Sequence, residues 1–152
     1  MQAHRLVKAR HAASALDGEG ARRVGGRWNA PGTPVAYCAS SLSLAVLELL
    51  AHLDPGEAPD DLVAIRFEIP DGMRSSRLVQ ADLPLNWRQD AGRDALRALE
   101  ARWIGAGATG ILIVPSVIVP AETNVLVNPR HPDAARIKVV HQEPFHLDGR
   151  LT

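Results

Sequence analysis

Apolar and polar positions alternate cleanly over residues 62–69, with Val63, Ile65, Phe67 and Ile69 on one side and Ala64, Arg66 and Glu68 on the other. That period-2 pattern predicts a half-buried strand, ended by the turn residues Pro70, Asp71 and Gly72. Further strands are predicted at residues 35–39, 111–115, 117–119, 124–128 and 137–141, the last resuming after Pro144 at residues 145–147. Leu42, Ala45, Val46, Leu49, Leu50 and Leu53 recur at helical spacing behind the N-cap candidates Ser40 and Ser41, with Pro55 and Gly56 as the stop. Ala95, Leu96, Leu99 and Trp103 define a second helix over residues 91–104, halted by the glycine-rich residues 105–110. Residues 17–33 fit neither period. They are rich in Gly and Arg and read as a long irregular region, a length often functional in a compact domain.

Five or six strands and two substantial helices that do not alternate strictly favour an α+β fold over a doubly wound sheet. The 152 residues show no repeat, low-complexity tract or dividing linker, so a single domain over residues 1–152 is expected. Lys plus Arg and Asp plus Glu number 17 each, giving a net charge of zero. That balance lacks the basic excess needed for phosphate-backbone attraction, so no direct nucleic-acid binding is expected. Cys38 is the only cysteine and sits in an apolar run, where it reads as a small buried hydrophobe in a reducing compartment. The N-terminal residues are broken by charges before any apolar stretch develops, and no apolar run reaches membrane-spanning length. A cytoplasmic protein without membrane association is expected. The six histidines lack metal-ligand spacing, so no metal is expected either.

The candidate chemistry lies at Gly25-Gly26-Arg27-Trp28-Asn29, followed by Tyr37 and Glu48. Paired glycines let a backbone approach a ligand closely, and the planar arginine fork fits phosphate oxygens. A tyrosine can stack on a ring. Glu48 shares a helical stripe with Leu44, Ala45 and His52, beside the apolar face and not opposite it, so it need not be fully solvated. These parts suit a nucleotide-diphosphate ligand whose glycosidic bond is broken beside a carboxylate. Ser116, after an apolar strand and Pro115, has no evident histidine partner and reads as a hydrogen-bonding group, not a nucleophile. Trp28 is expected to pack the loop down and Asn29 to cap a turn.

Residues 18–29 with Tyr37 and residues 44–48 resemble the front half of a RES domain, and residues 114–116 with residues 122–129 resemble its back half. The arginine, glutamate and serine for which that family is called match Arg27, Glu48 and Ser116, and the resemblance runs from about Arg5 to the C-terminus. It implies a fold like that of bacterial ADP-ribosyltransferase toxins, with a split mixed or antiparallel sheet and flanking helices. It also implies a toxin of a toxin–antitoxin pair that consumes NAD by hydrolysis, phosphorolysis or transfer of ADP-ribose to a host protein. The resemblance assigns Arg27, Tyr37, Glu48 and Ser116 to catalysis, and Arg5, Gly26, Arg27, Tyr37 and Ser116 to holding NAD. Arg27 would clamp the diphosphate, Tyr37 would face the nicotinamide, and Glu48 would meet the developing cation. Ser116 would hydrogen-bond NAD or Glu48. The implied partners are an Xre-like helix-turn-helix antitoxin that plugs the cleft and a second copy of the chain. Two rivals are an RNA-cleaving toxin, which lacks a His-based acid–base pair here, and a non-catalytic module that binds a nucleotide or partner.

Overall fold

Every predicted strand but one forms, and two that the pattern did not reveal join them. The computed structural model describes residues 1–54 and 56–152. In chain order the strands are β1 (Gln2–Lys8), β2 (Ala36–Ala39), β3 (Leu62–Glu68), β4 (Ser76–Arg77), β5 (Ile111–Pro115), β6 (Thr123–Val127) and β7 (Lys138–Phe145). The helices are α1 (Glu19–Val24), α2 (Leu42–Leu50) and α3 (Arg93–Ala106). The sheet runs β4-β5-β6-β2-β1-β3-β7. The β4–β5 pair is parallel and the other ladders are antiparallel, so this is the expected α+β fold on a mixed sheet.

The sheet parts at its centre. β1 pairs β3 from Gln2 to Lys8 but meets β2 only at His4↔Ala39. That seam is the split of the sheet, and one edge of a cleft opens along it.

Both sheet faces are covered. Ile111 and Ile113 of β5 and Val125 and Val127 of β6 pack with Cys38, Ile65 and Phe67 on one side. Leu112, Val114 and Leu126 pack on the other against Leu96 of α3 and all three tryptophans, Trp28, Trp87 and Trp103. Burial on both faces explains why residues 111–115 read as one unbroken apolar run. Cys38 is buried as expected, and burial pushes its thiol up to about 11.

Four local departures have physical causes. Strand β1 was not foreseen because both of its side-chain sets mix polar and apolar residues, and His4, Arg5 and Leu6 all line the cleft. Strand β4, at two residues, is too short to carry a period. Residues 117–119 do not continue as a strand: the amides of Ile118 and Val119 donate to Ser116 Oγ at 3.1 and 3.2 Å. A side chain thus takes the donors a ladder would need. Within the region read as irregular, α1 forms because Asp17 Oδ1 accepts from Glu19 N at 2.9 Å and Glu19 pairs with Arg22 at 2.6 Å and Arg23 at 3.1 Å. Pro55, expected to help close α2, lies outside the described residues; α2 itself ends at Leu50.

Candidate active site

The double glycine is required by geometry. Gly25 sits at φ 73°, and a Cβ on Gly26 would stand 2.7 Å from Tyr37 Oη and 2.9 Å from Asn29 Oδ1. The turn therefore closes only on a residue with no side chain at Gly26. Asn29, wholly buried, donates from Nδ2 to the carbonyls of Ala21 at 3.0 Å, Ala30 at 3.1 Å and Thr33 at 3.0 Å. It accepts from Tyr37 Oη at 2.7 Å, while Tyr37 Oη accepts from Trp28 N at 3.2 Å. Trp28 is 2% exposed and anchors the loop in the α3-side core. Between these anchors Arg27 is held on the cleft wall.

Helix α2 aims Glu48. Its N-cap is Ser41, whose Oγ accepts from Leu44 N at 3.1 Å and donates to Glu122 Oε2 at 2.9 Å. Two turns further along the same face comes Glu48, where Oε1 accepts from Ser116 Oγ at 2.9 Å and from Asn124 Nδ2 at 2.7 Å. The helix face is thus bonded twice to the segment between β5 and β6. Among the described residues no hydrogen bond engages Glu48 Oε2.

A cleft of about 660 Å³ is lined by Arg5, Gly26, Arg27, Tyr37, Glu48 and Asn124, with His4, His52 and Arg93 also on its wall. Its size falls in the ~300–1,000 Å³ range of small-molecule sites. Five of the six residues singled out from the sequence therefore meet at one cavity. The sixth, Ser116, does not line it. Ser116 is 0% exposed behind Glu48; of its two expected partners, NAD and Glu48, the structure shows the hydrogen bond to Glu48. A second hollow of about 350 Å³, lined by Thr33, Arg130 and His131 among others, contains none of these residues.

Burial shapes the electrostatics of the cleft. It holds the Arg27 guanidinium below its ordinary value, with neighbouring Arg93 acting in the same direction and Asp90 and Glu48 against it. It raises Tyr37, whose phenol stays protonated. It also lowers His4, helped by the charge of Arg66. Arg5 donates to the Ala15 carbonyl and is thereby fixed at the cleft edge.

Residues that sequence reasoning did not single out complete the site. Asn124 orients Glu48, and Arg97 donates from Nε and Nη2 to the Gly26 carbonyl at 3.2 and 3.0 Å. Arg93 stands on the same α3 face one turn earlier. Their helical spacing of four was visible in the sequence, but nothing there tied α3 to the loop.

Sheet, seam and cleft define an α+β protein that holds a single carboxylate and several arginines in a ligand-sized cavity at the parting of its sheet. The chain belongs to the RES domain family, whose profile matches residues 2–148. A protein of Sphingobium sp. called Prs ADP-ribosylating toxin is 41% identical over 139 residues, 90% of this chain and 86% of its own length. Toxin Res of Yersinia enterocolitica is 38% identical over 152 residues, 99% of each chain. Toxin Res of Pseudomonas putida is 40% identical over 138 residues, 90% of this chain and 92% of its own. A chain in the crystal structure of the M. tuberculosis MbcT–MbcA toxin–antitoxin complex superposes with a TM-score of 0.76 at 18% identity, covering 95% of this chain and 83% of that one. At that identity the likeness is one of fold.

Proposed function

We propose that this chain is the toxin of a toxin–antitoxin pair and that it consumes NAD by breaking the bond between nicotinamide and ribose. The observation that carries this reading is the carboxylate of Glu48, on the wall of the cleft with two donors on Oε1 and none on Oε2 among the described residues. Arg27 lies on the same cavity wall.

Nicotinamide in NAD is a cationic leaving group. When its bond to the anomeric carbon breaks, the electron pair departs with the nitrogen and nicotinamide leaves neutral, so no general acid is needed. Positive charge passes to the ribose as oxocarbenium character, as in glycoside hydrolysis. Glu48 stabilises that charge as it develops, and the Ser116 and Asn124 donors hold the carboxylate in place beforehand, which is the condition for a large electrostatic effect. Arg27 holds the diphosphate through charge-assisted hydrogen bonds, and Tyr37 offers its ring to the nicotinamide end. The acceptor that attacks the ribose and gives up its proton is water, phosphate or a protein side chain. An antitoxin neutralises the chain by occupying the cleft. The Xre-like partner and the second copy of the chain belong to this reading.

Expression in bacteria tests it. Growth arrest is expected to coincide with loss of cellular NAD or with ADP-ribosylation of a cellular protein, and Glu48→Gln is expected to abolish the arrest and the reaction together. Mass spectrometry of the products separates ADP-ribose, ADP-ribose 1″-phosphate and a modified protein. Arrest with NAD intact and no ADP-ribosylated protein, or with RNA cleaved before either appears, would overturn the proposal.

A further inference from the structure

Arg93 is a cation with an incomplete set of partners on the wall of the same cleft. It is the first residue of α3, and among the described residues no side chain caps that helix start. Its Nε lies 3.1 Å from Asp90 Oδ1, but the angle does not make a hydrogen bond and the Asp90 side chain is 85% exposed. The guanidinium of Arg27 reaches the same corner. Among the described residues its Nη1 makes long contacts alone, 3.4 Å to the Trp87 carbonyl and 3.5 Å to that of Gln89, on the segment that leads into α3. Arg97, one turn after Arg93, binds the Gly26 carbonyl twice and so locks this end of α3 to the residue before Arg27. Two guanidiniums thus stand on the wall of one cavity, close enough for the charge of Arg93 to act on Arg27.

Two like charges held together are unfavourable unless something negative lies between them. Asp90, 85% exposed, pairs with Arg93 and also acts on Arg27 from the solvent side, and Glu48 acts on Arg27. The start of a 14-residue helix adds partial positive charge at the same place. One arginine fork satisfies one phosphate bidentately; a diphosphate has a second.

We propose that Arg93 is the second half of a diphosphate clamp, pairing with Arg27 so that each guanidinium takes one phosphate of a nucleoside-diphosphate ligand. This deepens the NAD reading and rests on it for the identity of the ligand. Arg93 is a binding residue, while Arg97 is a positioning residue that fixes the spacing of the clamp. The clamp grips the half of the ligand that ends up in the ADP-ribose product, so it contributes to holding substrate and product alike.

The probe is inorganic pyrophosphate, titrated by calorimetry into the wild-type protein and into the Arg27→Ala, Arg93→Ala, Arg93→Lys and Arg102→Ala variants, with thermal unfolding of each. Arg102 is an exposed arginine elsewhere on α3 and serves as the control. Arg93→Ala is expected to weaken pyrophosphate binding about tenfold or more, comparably to Arg27→Ala, at unchanged Tm. Arg93→Lys is expected to restore part of the loss, since a point charge lacks the fork, and Arg102→Ala to leave binding within twofold. Asp90→Ala, which frees Arg93 from its carboxylate, is expected to tighten binding. If Arg93→Ala unfolds, Arg93→Lys and Asp90→Ala carry the test. Pyrophosphate binding within twofold of wild type in a folded Arg93→Ala, or loss as large in Arg102→Ala, overturns the clamp. Arg93-dependent binding of pyrophosphate by a protein that releases no nicotinamide from NAD would sink the NAD reading and leave the clamp standing.

Discussion

Asn124 Nδ2 donates to Glu48 Oε1 at 2.7 Å, and Ser116 Oγ donates to the same oxygen at 2.9 Å. One oxygen of the carboxylate is thus fixed by the sheet while the residue itself faces the cleft from α2. The fixing group on the β6 side is nine-tenths buried, with its own Oδ1 unpartnered among the described residues.

Asn124→Ala and Ser116→Ala should therefore act differently. Asn124→Ala removes one donor and is expected to lower kcat for NAD cleavage about tenfold or more, with KM within a few-fold, because the loss falls on an interaction that matters in the transition state. Ser116→Ala also leaves the amides of Ile118 and Val119 without their acceptor. It is expected to cost about 1–3 kcal/mol of stability in addition to rate. Steady-state kinetics and chemical denaturation of the two variants check this pair; equal stabilities would contradict the assignment of the amides.

The loop depends on close packing at Gly26. Gly26→Ala would place a methyl 2.7 Å from Tyr37 Oη, so the loop or the tyrosine must shift, at about 1–3 kcal/mol. Tyr37→Phe removes the acceptor of Trp28 N and the donor to Asn29 Oδ1 and is expected to cost about 1–3 kcal/mol. Both variants should also raise KM for NAD, since Arg27 loses its fixed position. A Gly26→Ala protein with wild-type Tm and KM would show that the turn has slack the structure does not display.

Much of this was legible in the chain, for reasons that can be stated. The strand over residues 62–69 was readable because one side of it faces the core: Ile65, Phe67 and Ile69 are each 1–2% exposed while Arg66 is exposed. Glu48 stood out because it shares a stripe with buried Leu44 and Ala45, and a charge at that place must meet something. What stayed hidden were partners fixed by tertiary approach. Asn124 lies 76 residues from Glu48, and Arg97 lies 71 from Gly26; no local period reports on such pairs. The interior strand β1 was hidden for the opposite reason: a strand that borders a polar cleft carries polar residues and loses its alternation.

Glu100 gives the fold a pH dependence. It is 1% exposed on α3, its Oε1 has no partner among the described residues, and burial pushes it up from 4.5 to about 7. The folded state therefore favours the neutral acid. Below about pH 4.5 both states are protonated at this site and it adds no bias; as pH rises from there through about 7 the unfolded state ionises first and stability falls. Glu100→Gln should remove this slope and stabilise the protein by on the order of 1–2 kcal/mol at pH 8, with little change at pH 4. Thermal unfolding from pH 4 to pH 8 checks it, and a slope unchanged by the substitution would assign the effect elsewhere.

In the proposed reaction Glu48 meets the cation formed as nicotinamide leaves. The most direct test is nicotinamide release from NAD by the purified protein, followed chromatographically for wild type and Glu48→Gln, with ADP-ribose affinity and Tm measured alongside. Catalytic release by the wild type is expected, with a loss of about 10²–10³-fold in kcat for Glu48→Gln at an ADP-ribose affinity and Tm close to wild type. Release by Glu48→Gln at the wild-type rate, or none from the wild type with water, phosphate and cell lysate all supplied as acceptors, would contradict it.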